Sequence, residues 1–569
     1  MVKLDPVTLE VIRNYLLTVA QEMKSLVMRS AYSALWKEGG DLSCGILTPK
    51  AEIVAQGPDD IPAHLATMPF SVKGAVDRVG IENIHEGDIL LHNDPYSGNN
   101  HLPDFLAALP VFYGDEIVAY TAVRAHWVDV GGITAGSYSS AATEIYQEGL
   151  RIPPSKIVKR GRINKELLDV ILSNVRAPAE RSGDLMAQLS GCQLGERRII
   201  ALIEKYSLRK FLSAMETILE YSERMTRREI SKMREGSYSF TDYCDEDELN
   251  PEPIKIHVTA TVKNSEIIID FTGSSPQVKS NMNAPLPVTY CATYYGVKMM
   301  TDPWNPSNSG CYRPIKVVAP EMSVVNPRFP AAVAAGNHET ASRITEVVIG
   351  ALSQACPEKA VAAGSGTSCV LLASGVDNRD ERKGRRWIHY EVNSGGVGAR
   401  STKDGVNAFR WGVGNTANTP VEILETLFPL MVERYELITD SGGAGKYRGG
   451  LTTRKVYRFL NHSSVVIVSD RGSHPPFGLF GGKSGRPAKF TLVKSDGREF
   501  VLKTRTREFY VEPDDIIVME APGSGGLGNP LERDRELVVR DVLYGYVSPS
   551  VAEAEYGVRV DSDMLRRVE

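Results

Sequence analysis

At 569 residues the chain is longer than one hydrophobic core usually serves, so two or three domains are expected. Its 42% hydrophobic and 24% charged residues and its net charge of −5 are those of an ordinary globular protein, without the basic balance of a nucleic-acid-binding surface. No run of about 18 apolar residues marks a membrane span, and the seven scattered cysteines contain no Cys-x-x-Cys pair, which speaks for a reducing compartment and against a zinc ribbon or an iron–sulfur cluster.

In chain order, Asp5-Pro6-Val7 predicts a helix N-cap with proline at the first helical position, and Leu9, Ile12, Leu16, Val19, Met23 and Val27 recur at helical spacing to about Ser33. The chain enters this helix without the apolar core of a signal peptide, so a cytoplasmic location is expected. A glycine-rich turn at Gly39-Gly40 then places Asp41 just before a short buried strand, Leu42 to Leu47. Turn-then-strand is a common address for a metal-binding or catalytic carboxylate, and turn capping is the structural alternative. A helix near 70–79 and a strand ending at His92 follow.

The stretch from Asn93 to Asp104 leads into a β-hairpin, Phe105 to Tyr113 and Glu116 to His126, with Gly114-Asp115 as its turn. If Tyr113 faces Glu116, counting outward sets Asp104 opposite Ala125. A single β-bulge, for which Pro110 is the candidate position, brings Asp104 opposite His126 and leaves His101 nearby. Two imidazoles and a carboxylate converging there suit one divalent ion such as zinc, manganese or iron, with Asp41 as a further oxygen ligand. The alternative is a set of loop residues hydrogen-bonding one another. His64, His85 and His92 are spare imidazoles in the same region, assigned core or supporting roles.

The small, polar stretch Gly131 to Gly149 reads as a loop over the pocket, and its Glu144 and Glu148 are candidate general bases or solvated surface charges. Residues 165 to about 233 are helical in pattern, interrupted at Asn174 to Pro178. Near Gly236 the period changes to the alternation of antiparallel strands, with an Asn264-Ser265 turn. Helices at Pro287 to Met300 and Glu339 to Ala355, the second capped around Asn337-His338, precede strands at Cys369 to Leu372 and Trp387 to Val392. A β-rich region (about 452–520) and a helical end from Leu531 to Glu569 complete the chain. The fold class is therefore α+β: a helical and hairpin-containing part (1–235), a mixed part rich in antiparallel strands (236–530) and a helical tail (531–569).

Two phosphate-loop look-alikes are rejected. Gly478 to Ser484 has one residue too few before Gly482-Lys483 and leads into a strand, where a phosphate loop needs a helix N-terminus. Gly523 to Gly528 matches G-x-G-x-x-G, but no parallel strand follows it. No nucleotide-binding residues are assigned.

The motifs Glu38 to Cys44, Asn93-Asp-Pro-Tyr96 with His101-Leu-Pro-Asp104, Asn174-Val-Arg176, Gly183 to Gln188, Asp440 to Gly450 and Tyr556-Gly-Val558 together resemble the hydantoinase B/5-oxoprolinase family over nearly the whole chain. The resemblance implies an ATP-dependent ring-opening amidohydrolase that works with a hydantoinase A-type subunit, in a hetero-oligomer with two copies of each. The partner would use ATP to phosphorylate the amide oxygen of a lactam, hydantoin or 5-oxoproline-like ring, and this chain would complete hydrolysis at a metal. It also implies the ligand set Asp41, His101, Asp104 and His126. Acetone and acetophenone carboxylases are similar to this family, so a ketone carboxylase subunit is the second reading. A scaffold subunit with a structural metal is the third.

Overall fold

The computed structural model describes residues 4–561. Helix α1 (Pro6–Ser30) opens where expected, with the Asp5 carboxylate accepting the Thr8 N–H at 2.9 Å. It stops three residues before Ser33 because Asp184 accepts the N–H groups of Tyr32 and Ser33 (2.7 and 3.1 Å) and draws them out of the helix.

The first sheet holds β1 (Leu42–Leu47), β2 (Ile53–Gln56), β3 (Ile89–His92), β4 (Asp104–Tyr113), β5 (Glu116–His126), β6 (Ser155–Lys159) and β7 (Arg162–Ile163). Their order is β2-β1-β5-β4-β3-β6-β7, antiparallel throughout. Both faces are covered. Phe105, Ala107, Val123 and Ala125 pack into the large core with Val19, Met23 and Val27 of α1, while Leu106, Ala108, Tyr120 and Ala122 meet Met68 and Val72 of the helix Met68–Val79. That is why β4 and β5 read as nearly continuous apolar runs rather than as alternation.

The β4–β5 register carries Tyr113 opposite Glu116 and Asp104 opposite His126. One bulge makes the shift, but it lies one step from the position expected: the pairing passes from Phe112–Ile117 to Val111–Ala119, so the extra residue is Val118 in β5, and Pro110 pairs with Tyr120 in register. Pro110 is tolerated because the β3 pairing with β4 stops at Ala108, leaving no partner there for its missing N–H.

The long helical stretch is broken at Asn174 to Ala177, as expected, and again at Ser207 (φ 75°), giving helices Lys165–Ser173, Pro178–Tyr206 and Leu208–Ile230. The second lies on α1 and the hairpin. A side chain at Gly195 would meet Met23 Sδ and Thr121 Cγ2 at 2.6 and 2.7 Å, so glycine sets that close approach. A second sheet, β8 (Gly236–Cys244), β9 (Ile254–Lys263), β10 (Glu266–Asp270) and β11 (Ile315–Val318), has the order β11-β10-β9-β8 and is antiparallel except for the β10–β11 pair. The helix Glu339–Ala355, buried along its length apart from Gln354, packs against β8, β9 and the helix Leu286–Met300.

The last part pairs two sheets face to face. One is formed by β12 (Val370–Val376), β13 (Arg386–Val392), β16 (Ser463–Val468) and β19 (Phe509–Val511), in the order β13-β12-β16-β19. The other contains β14 (Leu430–Leu437), β15 (Thr453–Phe459), β17 (Lys489–Val493), β18 (Glu499–Leu502) and β20 (Ile516–Glu520), in the order β14-β15-β20-β17-β18. Leu371, Ala373, Val465 and Ile467 of the first meet Tyr457, Phe490, Ile517 and Met519 of the second. The opposite face of the first, with Val370, Leu372, Tyr390 and Val392, joins the large core that begins at Ile12, and so carries β13 to the hairpin.

The glycine-rich stretches pack on one another. A Cβ at Gly523 would lie 1.8 Å from Ser441 O, and one at Gly525 would lie 1.9 Å from Phe477 O. The N–H groups of Leu479, Lys483 and Gly526 are donated to Gly526 O, Ala444 O and Lys483 O. The tail forms helices Arg535–Leu543 and Pro549–Tyr556; its last eight positions, 562–569, fall outside the described residues. Among those residues no helix is long and apolar enough to cross a membrane.

Candidate metal centre

The open end of the hairpin gathers His101, Asp104 and His126, whose candidate ligand atoms lie within 4.8 Å of one another and are all buried. Asp104 Oδ1 is 3.0 Å from His101 Nε2 and 3.1 Å from His126 Nδ1. Asp104 Oδ2 accepts from Asn100 Nδ2 at 3.0 Å, and the other end of that amide takes a hydrogen bond from the buried Arg124 at 2.8 Å. His101 Nδ1 faces Ala334 O at 3.2 Å and the Tyr138 hydroxyl at 3.1 Å. The backbone explains the convergence. Gly40 (φ 64°) turns the chain into β1, where the His126 N–H donates to Asp41 O at 3.1 Å and Trp36 Nε1 donates to His126 O at 2.6 Å.

Asp41 is buried on the wall of the same small cavity, of about 40 Å³, roughly the volume of one water molecule. Its Oδ1 lies 3.7 Å from His64 Nε2, so it stands beside the three-residue cluster and is linked to it through His64, whose Nε2 is 3.4 Å from Asp104 Oδ2. The cluster is electrostatically divided. Burial pushes the Asp104 carboxyl up, but His101 and His64 outweigh it and hold it well below the usual carboxylate range. Burial pushes His101 down. It acts downward on His126 as well, where the hydrogen bond to Asp104 and the charge of Asp41 prevail and raise it.

The donor set fits a divalent ion. Two imidazoles and a carboxylate are a borderline N/O set, and His126 Nε2 is buried with no hydrogen-bond partner, a cost that a ligand would relieve.

The expected bases sit elsewhere. Glu144 is exposed, with its N–H donated to the Gln147 side chain, and does not line the cavity. Glu148 is buried, but its carboxylate is occupied by the N–H groups of Val333 (2.9 Å) and Ala334 (2.8 Å); burial pushes it up to about 8. It holds in place the loop whose Ala334 carbonyl faces His101. The stretch Gly131 to Gly149 does reach the site, through Tyr138, but as a packed segment: Asp129 accepts from Gly131 N, Gly136 N and Arg176, and Thr134, Ser137 and Tyr138 are buried.

Other residues of the cavity wall lie far from the hairpin in sequence. His338, read from the sequence as part of a helix cap, keeps Nδ1 2.8 Å from Glu339 Oε1, and its buried Nε2 has no partner. Asn337 Nδ2 is 3.2 Å from His101 Nε2, and the Tyr390 ring lies 4.9 Å from that of His126. Arg410 also borders the cavity. Of the spare imidazoles, His64 lines the site, while His92 is a core residue with Nε2 at Ser71 O, pushed down to about 3 by burial. His85 lies outside it, with its N–H on Asp88.

A family model described as Hydantoinase B/oxoprolinase matches residues 5–530. A protein of Pseudomonas sp., named as one subunit of a putative D-/L-hydantoinase, is 33% identical over 99% of this chain and 97% of its own. The crystal structure of the ATP-dependent caprolactamase from Pseudomonas jessenii superposes with a TM-score of 0.91 at 30% identity, covering 99% of this chain and 98% of that one. A nucleotide-free acetone carboxylase structure gives the same TM-score at 18% identity, covering 98% of this chain and 80% of that one, a likeness of fold.

Proposed function

Because the chain belongs to the hydantoinase B/oxoprolinase family, we propose that it is the metal-bearing hydrolytic subunit of an ATP-dependent cyclic amidohydrolase, completed by a hydantoinase A-type partner. The observation that carries this reading is the buried cluster His101, Asp104 and His126, with an unpaired imidazole nitrogen on a cavity wall.

An amide is a poor electrophile because its nitrogen lone pair is delocalised into the carbonyl, and phosphorylating its oxygen makes the carbon attackable. A divalent ion would be held by His101, Asp104 and His126, with Asp41 adjoining, and would supply the Lewis acidity that lowers the pKa of water from about 16 toward roughly 7. Asn100 and Arg124 hold Asp104 in orientation, and Tyr138 and the Ala334 carbonyl hold His101. His338 is the base. With Nδ1 on Glu339, its Nε2 is the free nitrogen that receives a proton from water in the cavity. Glu339 is itself fixed by the Ser368 N–H at 3.0 Å. The substrate is a small cyclic amide. Incorporation of bicarbonate into product would instead assign the chain to ketone carboxylation.

Metal analysis of purified variants tests the centre. His126→Ala and Asp41→Asn are expected to lose most of their divalent metal relative to about one ion per chain in the parent. Full occupancy in both would sink the assignment.

A further inference from the structure

A second cavity, of about 170 Å³, shares Tyr390 as a common wall with the metal cluster. Its lining is cationic in a way the reaction above does not use. Five arginines face three acids there, and each acid is already engaged: Asp129 by Arg176 (2.9 Å), Glu180 by Arg181 (2.9 Å), and Asp377 by Arg379 (2.7 Å) from outside the cavity. Arg385 and Arg386 are exposed, with no side-chain hydrogen bond or ion pair among the described residues. Arg181 is 1% exposed, yet its Nε and Nη1 have no hydrogen-bond partner; its Nη2 also lies 3.2 Å from the buried Asp184. Buried donors without acceptors, beside free guanidinium groups, are the complement of a ligand that only accepts.

The size and remaining walls narrow the class. A volume below the roughly 300–1,000 Å³ typical of drug-sized ligands suits a small one, and Trp387 and Phe428 form an apolar side. We propose that this cavity is an oxyanion site for a phosphate group. That the phosphate is one carried to or released from the substrate rests on the functional reading above, in which the amide arrives phosphorylated. The planar fork of arginine matches phosphate oxygens in pairs, and the shared Tyr390 wall places the site next to the hydrolytic cavity.

The test is calorimetric titration of orthophosphate into the full-length chain, with metal content measured on the same sample. Saturable binding is expected, weakened about tenfold or more in R385A/R386A, both exposed positions. It is expected to be unchanged in R162A/R209A, two exposed arginines elsewhere, and unchanged after chelation of the metal. Absence of saturable binding, equal weakening in both double variants, or loss on chelation with R385A/R386A behaving like the parent would each overturn the proposal. A metal-loaded chain that binds no phosphate sinks this site alone. A chain that binds phosphate but holds no metal at His126 sinks the hydrolytic reading and leaves the oxyanion site standing.

Discussion

His338 and Glu148 differ in what their polar atoms meet. His338 lines the cavity and its buried Nε2 has no partner, whereas both Glu148 oxygens accept backbone N–H groups. His338→Gln is therefore expected to retain metal while losing about 10²- to 10⁴-fold in kcat, the usual contribution of a positioned base. Metal analysis beside steady-state kinetics checks both halves, and unchanged kcat would refute the assignment. Glu148 makes a pH prediction. Its carboxyl is raised to about 8 in the folded protein from about 4.5 unfolded. Between these values the unfolded chain has released a proton that the folded chain keeps, so Glu148's contribution to stability falls as pH rises through that window. Glu148→Gln does not titrate, so thermal melts from pH 4.5 to 8 are expected to show the variant gaining on the parent as pH rises. A constant difference would contradict it.

Among the elements, the β4–β5 hairpin does most to build the site, and Gln188 joins it to the long helix. Gln188 Nε2 donates to Phe105 O and to Val123 O, both at 2.8 Å, next to the metal cluster. Gln188→Leu removes two hydrogen bonds to carbonyls of residues that the β4–β5 ladder also pairs, at about 0.5–1.5 kcal/mol each. Chemical denaturation is expected to show that loss together with weaker metal retention, and parent-like stability would show that the bonds are dispensable. The hairpin was legible in the sequence because a two-residue turn sets a count, and the count delivers His126 to Asp104 given one bulge. The bulge position was not legible. Pro110 marks where a strand tolerates a defect, whereas Val118 accommodates it through packing that no local pattern records. His338, Asn337 and Tyr390 were invisible for a related reason. Their own neighbourhoods read as a helix start and a strand, and only packing of β13 and the helix Glu339–Ala355 against the hairpin brings them to the site.

Across the whole molecule, the glycine-rich segments that resemble phosphate loops are consumed in packing against one another, with their N–H groups donated to backbone carbonyls. A phosphate loop must keep such groups free for its ligand. The chain supplies a candidate metal centre, and under the proposed function ATP chemistry belongs to a second polypeptide; its Pseudomonas relative is named as one subunit of a putative hydantoinase. If an activated intermediate is made in one subunit and consumed in another, loss to water is avoided only when the two sites face each other across an obligate contact, which would bury more than roughly 2,000 Å². Phosphate release and ring opening, followed for this chain, for a hydantoinase A-type subunit and for the two combined, measure that division of labour directly. The chain alone is expected to show neither activity and the combination to show both. Robust ATP hydrolysis by the isolated chain would contradict it.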